Sequence, residues 1–278
     1  MKNRFKVDFI SVGPQKTCTT WLYENLKEHP ALCFPRNVKE TRFFDIHYEQ
    51  GLHRYASYFQ HQQRSQLAGE IAPSYFDVTQ APERILSLKP DCKILISLRS
   101  PVDRAFSLYC HHLRKGRVPR GFDKAINKMP RILSSGLYAR HIPCWINAFG
   151  KDQIFYLLMD EIKQQPEIVI SSVYDFLNIE TPEIHSYLTQ KVNEASMPRI
   201  SILAKLMAQT ASYLRAQQFD GVVELAKKIR LNKIYEGGNQ KMPKITHEES
   251  LYLAEYYRDD IEYVETLLGR TLPQWKFA

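Results

Sequence analysis

The stretch VDFISVGPQKTCTTW, residues 7–21, joins an apolar run to a loop that contains one lysine and three threonines. Its first seven residues are mostly apolar and rich in β-branched side chains, so they predict a short buried strand. The following TTWLYENLKEHP predicts a helix, because Leu22 and Leu26 lie one turn apart and Pro30 ends the run. A strand, a loop and a helix in this order present backbone N–H groups and a positive dipole end to an anion.

The loop departs from the ATP-binding pattern G-x-x-x-x-G-K-[ST]. Cys18 stands at the second glycine, Thr19 stands at the lysine, and Lys16 comes three residues early. No acidic partner for Mg²⁺ accompanies it, whereas a triphosphate loop needs that metal. We therefore expect a ligand with less charge at its reacting end, such as a phosphosulfate. We also expect a negative φ at Cys18, within the first helical turn, and a thiol pKa lowered by the helix dipole.

The remaining chain alternates strand-like and helix-like segments up to about residue 195. LAGEIAPSYF (67–76) predicts a short strand that runs into a loop, CKILISLRS (92–100) is strongly strand-like, and DQIFYLLMDEI (152–162) contains a strand. The predicted helices are APERILSLKP (81–90), SPVDRAFSLYCHHLRKG (100–116), GLYARHIPCWINAFG (136–150) and PEIVISSVYDFLNI (166–179). This alternation predicts an α/β fold with a mainly parallel central sheet and helices on both faces.

Two parts of the chain depart from this alternation. Residues 31–64 are rich in aromatic side chains and predict no regular element. Residues 246–270 predict one helix that starts at a Thr246/Glu249 capping box and ends at Gly269. We predict a single domain over residues 1–278, with an α/β core at 1–195 and a mostly helical part at 196–278 that packs on the core.

Composition limits the classes of partner. The 278 residues include 38 Lys and Arg against 30 Asp and Glu, and this net charge of +8 favours anionic ligands. No dense basic run indicates a nucleic-acid partner. The five cysteines form no C-x-x-C pair, which predicts reduced thiols and a cytoplasmic protein. No apolar run reaches membrane length, no signal peptide is apparent, and no zinc pattern occurs, so we expect no membrane span and no metal.

A second motif, LRSPVDRAFSLY, occupies residues 98–109. It places an arginine at the end of a strand and begins a helix at once. Arg99 and Ser107 together can hold a second phosphate through charge-assisted hydrogen bonds.

The two motifs together resemble the PAPS-dependent sulfotransferase family, where PAPS is 3′-phosphoadenosine 5′-phosphosulfate. GPQKTCTTW (13–21) is similar to the family's 5′-phosphosulfate loop, P-K-[ST]-G-T-T-W, and LRSPVDRAFSLY is similar to its 3′-phosphate segment. Five further segments resemble the heparan-sulfate N- and 3-O-sulfotransferase branch: KETRFFD (39–45), YEQGLHRYASYF (48–59), GEIAPSYFDVTQAPER (69–84), GLYARHIPCWINAFG and LLGRTLPQW (267–275). The resemblance implies a P-loop-like nucleotide-binding fold, with PAPS as co-substrate and adenosine 3′,5′-bisphosphate as the leaving product.

The resemblance also implies roles for individual residues. Lys16 contacts the bridging oxygen and the 5′-phosphate, and Arg99 with Ser107 holds the 3′-phosphate. The implied cofactor-binding set is Gly13, Gln15, Lys16, Thr17, Cys18, Thr19, Thr20, Trp21, Arg99, Ser107 and Arg199. Trp21 packs near the adenine or serves as a core aromatic residue.

Three departures from the family pattern affect this assignment. Cys18 replaces the family glycine, and Ser100 follows Arg99 where Asp or Asn is common. The late glycine-rich nucleotide loop is not recognisable. QKVNEASMPR (190–199) is its replacement in this chain, with Lys191 or Arg199 reaching the 3′-phosphate.

In-line transfer needs a base for the acceptor, a cation for the leaving oxygen, and alignment of the two. Lys16 is the cation. Glu40 of KETRFFD is the favoured base, because the resemblance to the heparan-sulfate branch implies that this glutamate matches the family's base, and the flanking FFD is expected to raise its pKa. His111 is the second candidate base, since histidine transfers protons near neutral pH. Glu70 is a third. Lys39, Phe43 and Glu70 are the candidate acceptor-binding residues.

The aromatic and basic side chains of residues 41–64 suit either sugar binding or the edge of an aromatic core. The favoured acceptor is a carbohydrate hydroxyl or amine, and the alternative is a small metabolite or natural product. Two other classes also have an anion-binding loop: a nucleotide kinase that requires ATP and Mg²⁺, and a non-catalytic nucleotide-binding protein. The sequence does not predict an oligomeric state.

Overall fold

The computed structural model describes residues 5–182, Thr210 and residues 242–276. The chain divides into two compact units, which are Met1–Arg99 with Tyr138–Val192 and Ser100–Leu137 with Asn193–Ala278. Each unit has a hydrophobic core of its own. The single domain with a boundary near residue 195 stays a prediction.

The first unit contains a five-stranded sheet in which every pairing is parallel. Its strands are β1 (Phe9–Gly13), β2 (Leu32–Cys33), β3 (Leu67–Ile71), β4 (Lys93–Leu98) and β5 (Ile154–Leu158), in the order β2-β3-β1-β4-β5. The chain runs from β1 to β2 and β3 on one side and then crosses to β4 and β5 on the other. The order therefore reverses at β1, and ligands of open parallel sheets bind beyond the carboxyl ends at such a point.

Twelve α-helices, numbered in chain order, are present among the described residues. They are α1 (Thr19–Leu26), α2 (Leu52–Ser57), α3 (Ala81–Leu88), α4 (Pro101–Arg114), α5 (Phe122–Lys128), α6 (Arg131–Ser134), α7 (Tyr138–Phe149), α8 (Met159–Gln164), α9 (Pro166–Leu177), α10 (His247–Tyr256), α11 (Arg258–Leu268) and α12 (Pro273–Lys276). No described helix is long and apolar enough to cross a bilayer.

Helices cover both faces of the sheet, as the alternating pattern predicts. Ile94, Leu95 and Ile96 are consecutive residues of β4 and are all 0% exposed. Because successive residues of a strand point to opposite faces, both faces of β4 are buried. Leu95 packs in a core that includes residues of α1, α8 and α9, while α7 contacts β5 and α3. The predicted fold class, a mainly parallel α/β sheet with helices, is confirmed.

The second unit is helical, and a buried arginine joins its parts. Arg104 of α4 is 0% exposed and donates to Ser135 Oγ at 3.1 Å and to the Ile132 carbonyl at 2.7 Å. Tyr257 donates to the Leu133 carbonyl at 2.7 Å, so the α10–α11 junction binds the same turn. Gly136 is required beside this arginine, because a Cβ there would lie 2.7 Å from the guanidinium.

Residues 31–64 contain more regular structure than the sequence predicts. They form β2, a π-helix over Phe43–His47, a 3₁₀-helix over Tyr48–Gln50, and α2. The Thr246/Glu249 capping box is confirmed, with both reciprocal hydrogen bonds present. The single helix expected after it is wrong, because α10 ends at Tyr256 and α11 begins at Arg258, with Tyr257 between them.

Candidate active site

The loop after β1 begins with a glycine that makes a close backbone approach. Gly13 has a φ of 98°, and a Cβ there would lie 2.6 Å from the Cα and the carbonyl oxygen of Pro73. Pro73 follows β3, so the exits of two adjacent strands touch through their backbones. Any side chain at position 13 would separate them, and a residue other than glycine would also be strained at this φ.

Thr17 fixes the middle of the loop to the sheet. Its hydroxyl donates to the Pro14 carbonyl at 2.6 Å, so the 2.6 Å contact with Ser97 Oγ of β4 has Ser97 as the donor. The side chain of Thr17 is 0% exposed. Its hydroxyl thus holds the loop in shape, and Thr17 itself offers no surface to a ligand in this structure.

Cys18 differs from both sequence expectations. It occupies the N-cap of α1 with φ 65° and ψ 18°, which is a left-handed conformation, so the expected negative φ is wrong. Burial raises the pKa of the Cys18 thiol, and the nearby charges of Arg99, Lys163 and Lys16 lower it less than burial raises it. The expected lowering of the thiol pKa is therefore also wrong. Burial against the core therefore determines the direction in which the pKa of this thiol shifts.

Replacing Cys18 by glycine should stabilise the fold. A residue with a Cβ is strained by about 1–2 kcal/mol in the left-handed region, and glycine relieves this strain. Part of the gain is lost, because glycine also increases the conformational entropy of the unfolded chain. We expect a net rise of about 0.5–1 kcal/mol in the free energy of unfolding, measured by urea denaturation. The control is Cys144→Gly, an exposed position inside α7, which should instead lose about 1 kcal/mol. Equal losses in both variants would show that position 18 is unstrained.

The start of α1 suits an anion. No side chain caps the helix, and its first turn contains no acidic residue. Lys16 is half-buried in the loop with a φ of 75°, and Arg99 follows β4 close enough to act on the Cys18 thiol. Tyr138 donates to the Arg99 carbonyl at 2.8 Å, which fixes the arginine's backbone. Helix N–H groups and two cations therefore lie at the carboxyl ends of β1 and β4.

The other loop residues differ in how much surface they offer. Trp21 is 6% exposed and packs in the core, which agrees with the core alternative for this residue. Thr19 is 6% exposed, while Gln15 and Thr20 are half-buried.

The segment that contains Glu40 is tied to the loop on one side and to the sheet on the other. Lys39 donates to Thr20 Oγ1 at 3.4 Å, which joins the segment to α1. The backbone N–H of Thr41 donates to Glu70 Oε1 at 2.6 Å, which joins it to β3. Glu40 lies between these anchors and is half-buried. Glu40, the candidate base, and the loop after β1 are thus at the same edge of the first unit's sheet.

Glu70 is buried among hydrogen-bond donors. It is 0% exposed, and Tyr55 donates to Oε2 at 3.0 Å, while the Tyr75 hydroxyl lies 3.2 Å from the same oxygen. Burial raises the pKa of Glu70 to about 7, against the lowering effect of the bonds from Thr41, Tyr55 and Tyr75.

The remaining candidates lie elsewhere in the chain. Phe43 is 1% exposed and stacks on Tyr55, so it offers almost no surface to an acceptor. Ser107 and His111 are half-buried residues of α4 in the second unit, and their roles stay predictions. Lys191 and Arg199 lie outside the described residues. Within residues 5–182 and 242–276, no group of three or more His, Cys, Asp or Glu is arranged to hold a metal ion.

Sequence reasoning missed the residues that support these candidates. Ser97, Thr41, Tyr55 and Tyr75 each contact a candidate residue directly. Ser97, Thr41 and Tyr55 are not recognisable from the sequence, because their partners lie 15 or more residues away. Tyr75 is the exception, since it is close in sequence to Glu70. The pattern G-E-x-x-P-S-Y, in which the glutamate follows a strand start, is the one local signal.

Together the parallel sheet and the loop between β1 and α1 define an α/β fold whose central strand ends at a helix start suited to an anion. The model of a family described as "Sulfotransferase domain" matches residues 6–218. Over 299 residues the chain is 30% identical to bifunctional heparan sulfate N-deacetylase/N-sulfotransferase 1 of Mus musculus, and it is 29% identical to the Homo sapiens protein of that name. These alignments cover 96% of this chain and 30% of each relative, so the chain spans about three tenths of their length.

Solved structures agree on the fold. A sulfotransferase from Alicyclobacillus acidocaldarius superposes with a TM-score of 0.71 at 21% identity, covering 98% of this chain and 99% of that one. The sulfotransferase domain from the curacin biosynthetic pathway gives a TM-score of 0.53 at 13% identity, with 92% and 99% covered. The chain belongs to the sulfotransferase family. The resemblance and the predicted enzyme class are therefore confirmed.

Proposed function

We propose that this protein transfers the sulfuryl group of PAPS to an acceptor hydroxyl or amine, with Lys16 at the leaving oxygen and Glu40 as the base. One observation carries the proposal. The segment 39–41 is bonded on one side to α1 through Lys39 and Thr20, and on the other to β3 through Thr41 and Glu70. A carboxylate between these anchors is held beside the loop that would bind the phosphosulfate.

The residues of the loop fit a phosphosulfate. The absence of a Cβ at Gly13 lets the loop backbone approach Pro73, and the uncapped start of α1 offers N–H groups to the 5′-phosphate. Lys16 supplies a charge to the oxygen that leaves with that phosphate. Arg99 holds the 3′-phosphate, with Ser107 and Arg199 as predicted partners. Trp21 is a residue of α1, and its side chain anchors the helix in the core.

PAPS supplies the sulfuryl group in this scheme. The acceptor oxygen or nitrogen forms a bond to sulfur while the bond between sulfur and the 5′-phosphate oxygen breaks. Glu40 takes the proton of the acceptor, and adenosine 3′,5′-bisphosphate leaves with the electron pair. His111 stays the second candidate for the base.

The favoured acceptor is a carbohydrate. Support comes from the heparan sulfate N-deacetylase/N-sulfotransferases to which the chain is similar. A small metabolite is the alternative acceptor. Five free cysteines fit a reducing compartment, so we place the protein in the cytoplasm.

Ligand-dependent melting tests the donor site. Adenosine 3′,5′-bisphosphate at 100 times its Kd should add about 2.7 kcal/mol of stability and raise the Tm by roughly 5 °C. ATP with Mg²⁺ should give little shift, as should adenosine 5′-monophosphate, which lacks the 3′-phosphate. In Arg99→Ala the bisphosphate and the monophosphate should shift the Tm equally. If ATP with Mg²⁺ stabilises the protein and the bisphosphate does not, the proposal fails and the kinase alternative is favoured.

A second experiment separates an enzyme from a nucleotide-binding protein. Labelled sulfate in PAPS is followed into a panel of glycans, amino sugars and phenols. Transfer to glycans supports the carbohydrate acceptor, and transfer to phenols alone supports the metabolite. Binding of the bisphosphate with no transfer to any acceptor favours the non-catalytic alternative.

A further inference from the structure

We propose that Glu70 is a positioning residue, whose buried carboxylate fixes the backbone that presents Glu40 to the acceptor. This inference rests on the proposed role of Glu40. It assigns Glu70 a function other than base or acceptor contact.

The geometry links the two glutamates through one peptide unit. Glu70 Oε1 accepts from the N–H of Thr41 at 2.6 Å, and this N–H belongs to the peptide bond that Glu40 forms with Thr41. Glu70 is itself in β3, where its backbone pairs in register with Ile10 of β1. The Glu40–Thr41 peptide is therefore bonded to β3, which is paired with the central strand β1.

Glu70 is held in place by donors on separate segments. Tyr55 of α2 and Tyr75 beyond β3 both bond its Oε2, and Tyr75 also lies 3.2 Å from Thr41 Oγ1. Burial raises the pKa of both tyrosines well above the usual value, so their hydroxyls keep the protons that they donate. The carboxylate thus has one position available to it.

Burial argues against Glu70 as the base. A general base must come within hydrogen-bond reach of the acceptor proton. Glu70 is 0% exposed, and both of its oxygens already accept hydrogen bonds within the protein. A group placed in this way can orient a neighbour without touching the acceptor.

Two substitutions separate positioning from charge. Glu70→Gln keeps the side-chain length and an oxygen for the Thr41 N–H but removes the charge. Glu70→Asp keeps the charge but withdraws the carboxylate by one methylene. If Glu70 positions Glu40, kcat should stay within about 3-fold of wild type in the Gln variant and fall about 10²-fold in the Asp variant, because a displacement of about 1 Å near the reacting groups has this effect. A base would give the opposite order.

Binding and hydrogen exchange supply readouts independent of turnover. The Kd for adenosine 3′,5′-bisphosphate should be unchanged in both variants. Exchange of the Thr41 amide, followed in the peptide covering residues 39–43, should stay slow in the Gln variant and become fast in the Asp variant. Unchanged exchange in peptides from β1 shows that each variant is folded.

The possible failures are distinguishable. A folded Gln variant that loses kcat as fully as Glu40→Gln overturns the positioning role, even if the Asp variant cannot be purified. Fast exchange of the Thr41 amide in wild type also overturns it. Absence of sulfuryl transfer by wild type, with the Thr41 amide still protected, contradicts the proposed function and leaves the hydrogen-bond link in place.

Discussion

Lys16→Ala is expected to lower kcat for sulfuryl transfer by about 10²- to 10³-fold, the usual effect of removing one preorganised donor from a site where charge develops in the transition state. Lys16 lies in the loop between β1 and α1, where negative charge appears on the leaving oxygen as the bond to sulfur breaks. Because this charge is greatest in the transition state, kcat should fall much more than the affinity for adenosine 3′,5′-bisphosphate. Steady-state kinetics and calorimetric titration measure the two effects separately.

Lys163→Ala is the matched control for this variant. Lys163 follows β5, its side chain is 56% exposed, and its charge acts on the same Cys18 thiol as that of Lys16. An exposed charge is screened by salt, so its removal should change kcat by less than about 3-fold. Equal losses in the two lysine variants would mean that the general positive potential, and not the placement of Lys16, assists the reaction.

Glu40→Gln should lower kcat by about 10²- to 10⁴-fold, the range for loss of a general acid or base. The amide has the same size but takes up no proton, so the bonds from Lys39 to Thr20 and from Thr41 to Glu70 should remain. The Kd for adenosine 3′,5′-bisphosphate should therefore be unchanged. Single-turnover kinetics with bound PAPS isolate the chemical step.

Two controls make the Glu40 result specific. Glu49→Gln repeats the same change at an exposed residue of the 3₁₀-helix and should leave kcat unaltered. His111→Gln tests the second candidate base. A large loss in His111→Gln, with near-normal turnover in Glu40→Gln, would transfer the role of base to the histidine.

The sequence predicts the central part of the fold well. β1, β3, β4 and β5 lie within the segments expected to contain strands, because buried parallel strands are short and mostly apolar. The loop after β1 was also found from local pattern. The end of β1 and the start of α1 are both encoded within about fifteen residues.

Elements that depend on distant contacts were not predicted. β2 has two residues, and it exists through its pairing with Leu67 and Ala68 of β3. The π-helix at Phe43–His47 buries Phe43 and Phe44 against rings from other segments. The break between α10 and α11 falls at Tyr257, whose hydroxyl bonds Leu133 more than a hundred residues away. The spacing of apolar residues along the sequence does not indicate which distant residues will be in contact.

Cys18 shows a different limit. The resemblance placed a glycine at this position in related proteins, and glycine is the residue that tolerates a positive φ. The sequence predicts a helix over TTWLYENLKEHP and places Cys18, the residue before it, in the first helical turn with ordinary helical angles. The structure begins α1 at Thr19 and leaves Cys18 in the left-handed region. The helix boundary, shifted by one residue, explains the wrong backbone expectation, whereas the thiol pKa is raised because Cys18 is buried against the core.

The contact between Gly13 and Pro73 has a consequence for how acceptor preference can change during evolution or engineering. It joins the exits of β1 and β3 through main-chain atoms, with a would-be Cβ only 2.6 Å from Pro73. The spacing between the loop after β1 and the segment after β3 is therefore set by main-chain atoms and does not depend on the identity of neighbouring side chains. If the proposed function holds, substitutions around Glu40 can exchange one acceptor for another while this spacing is kept, provided that position 13 stays glycine.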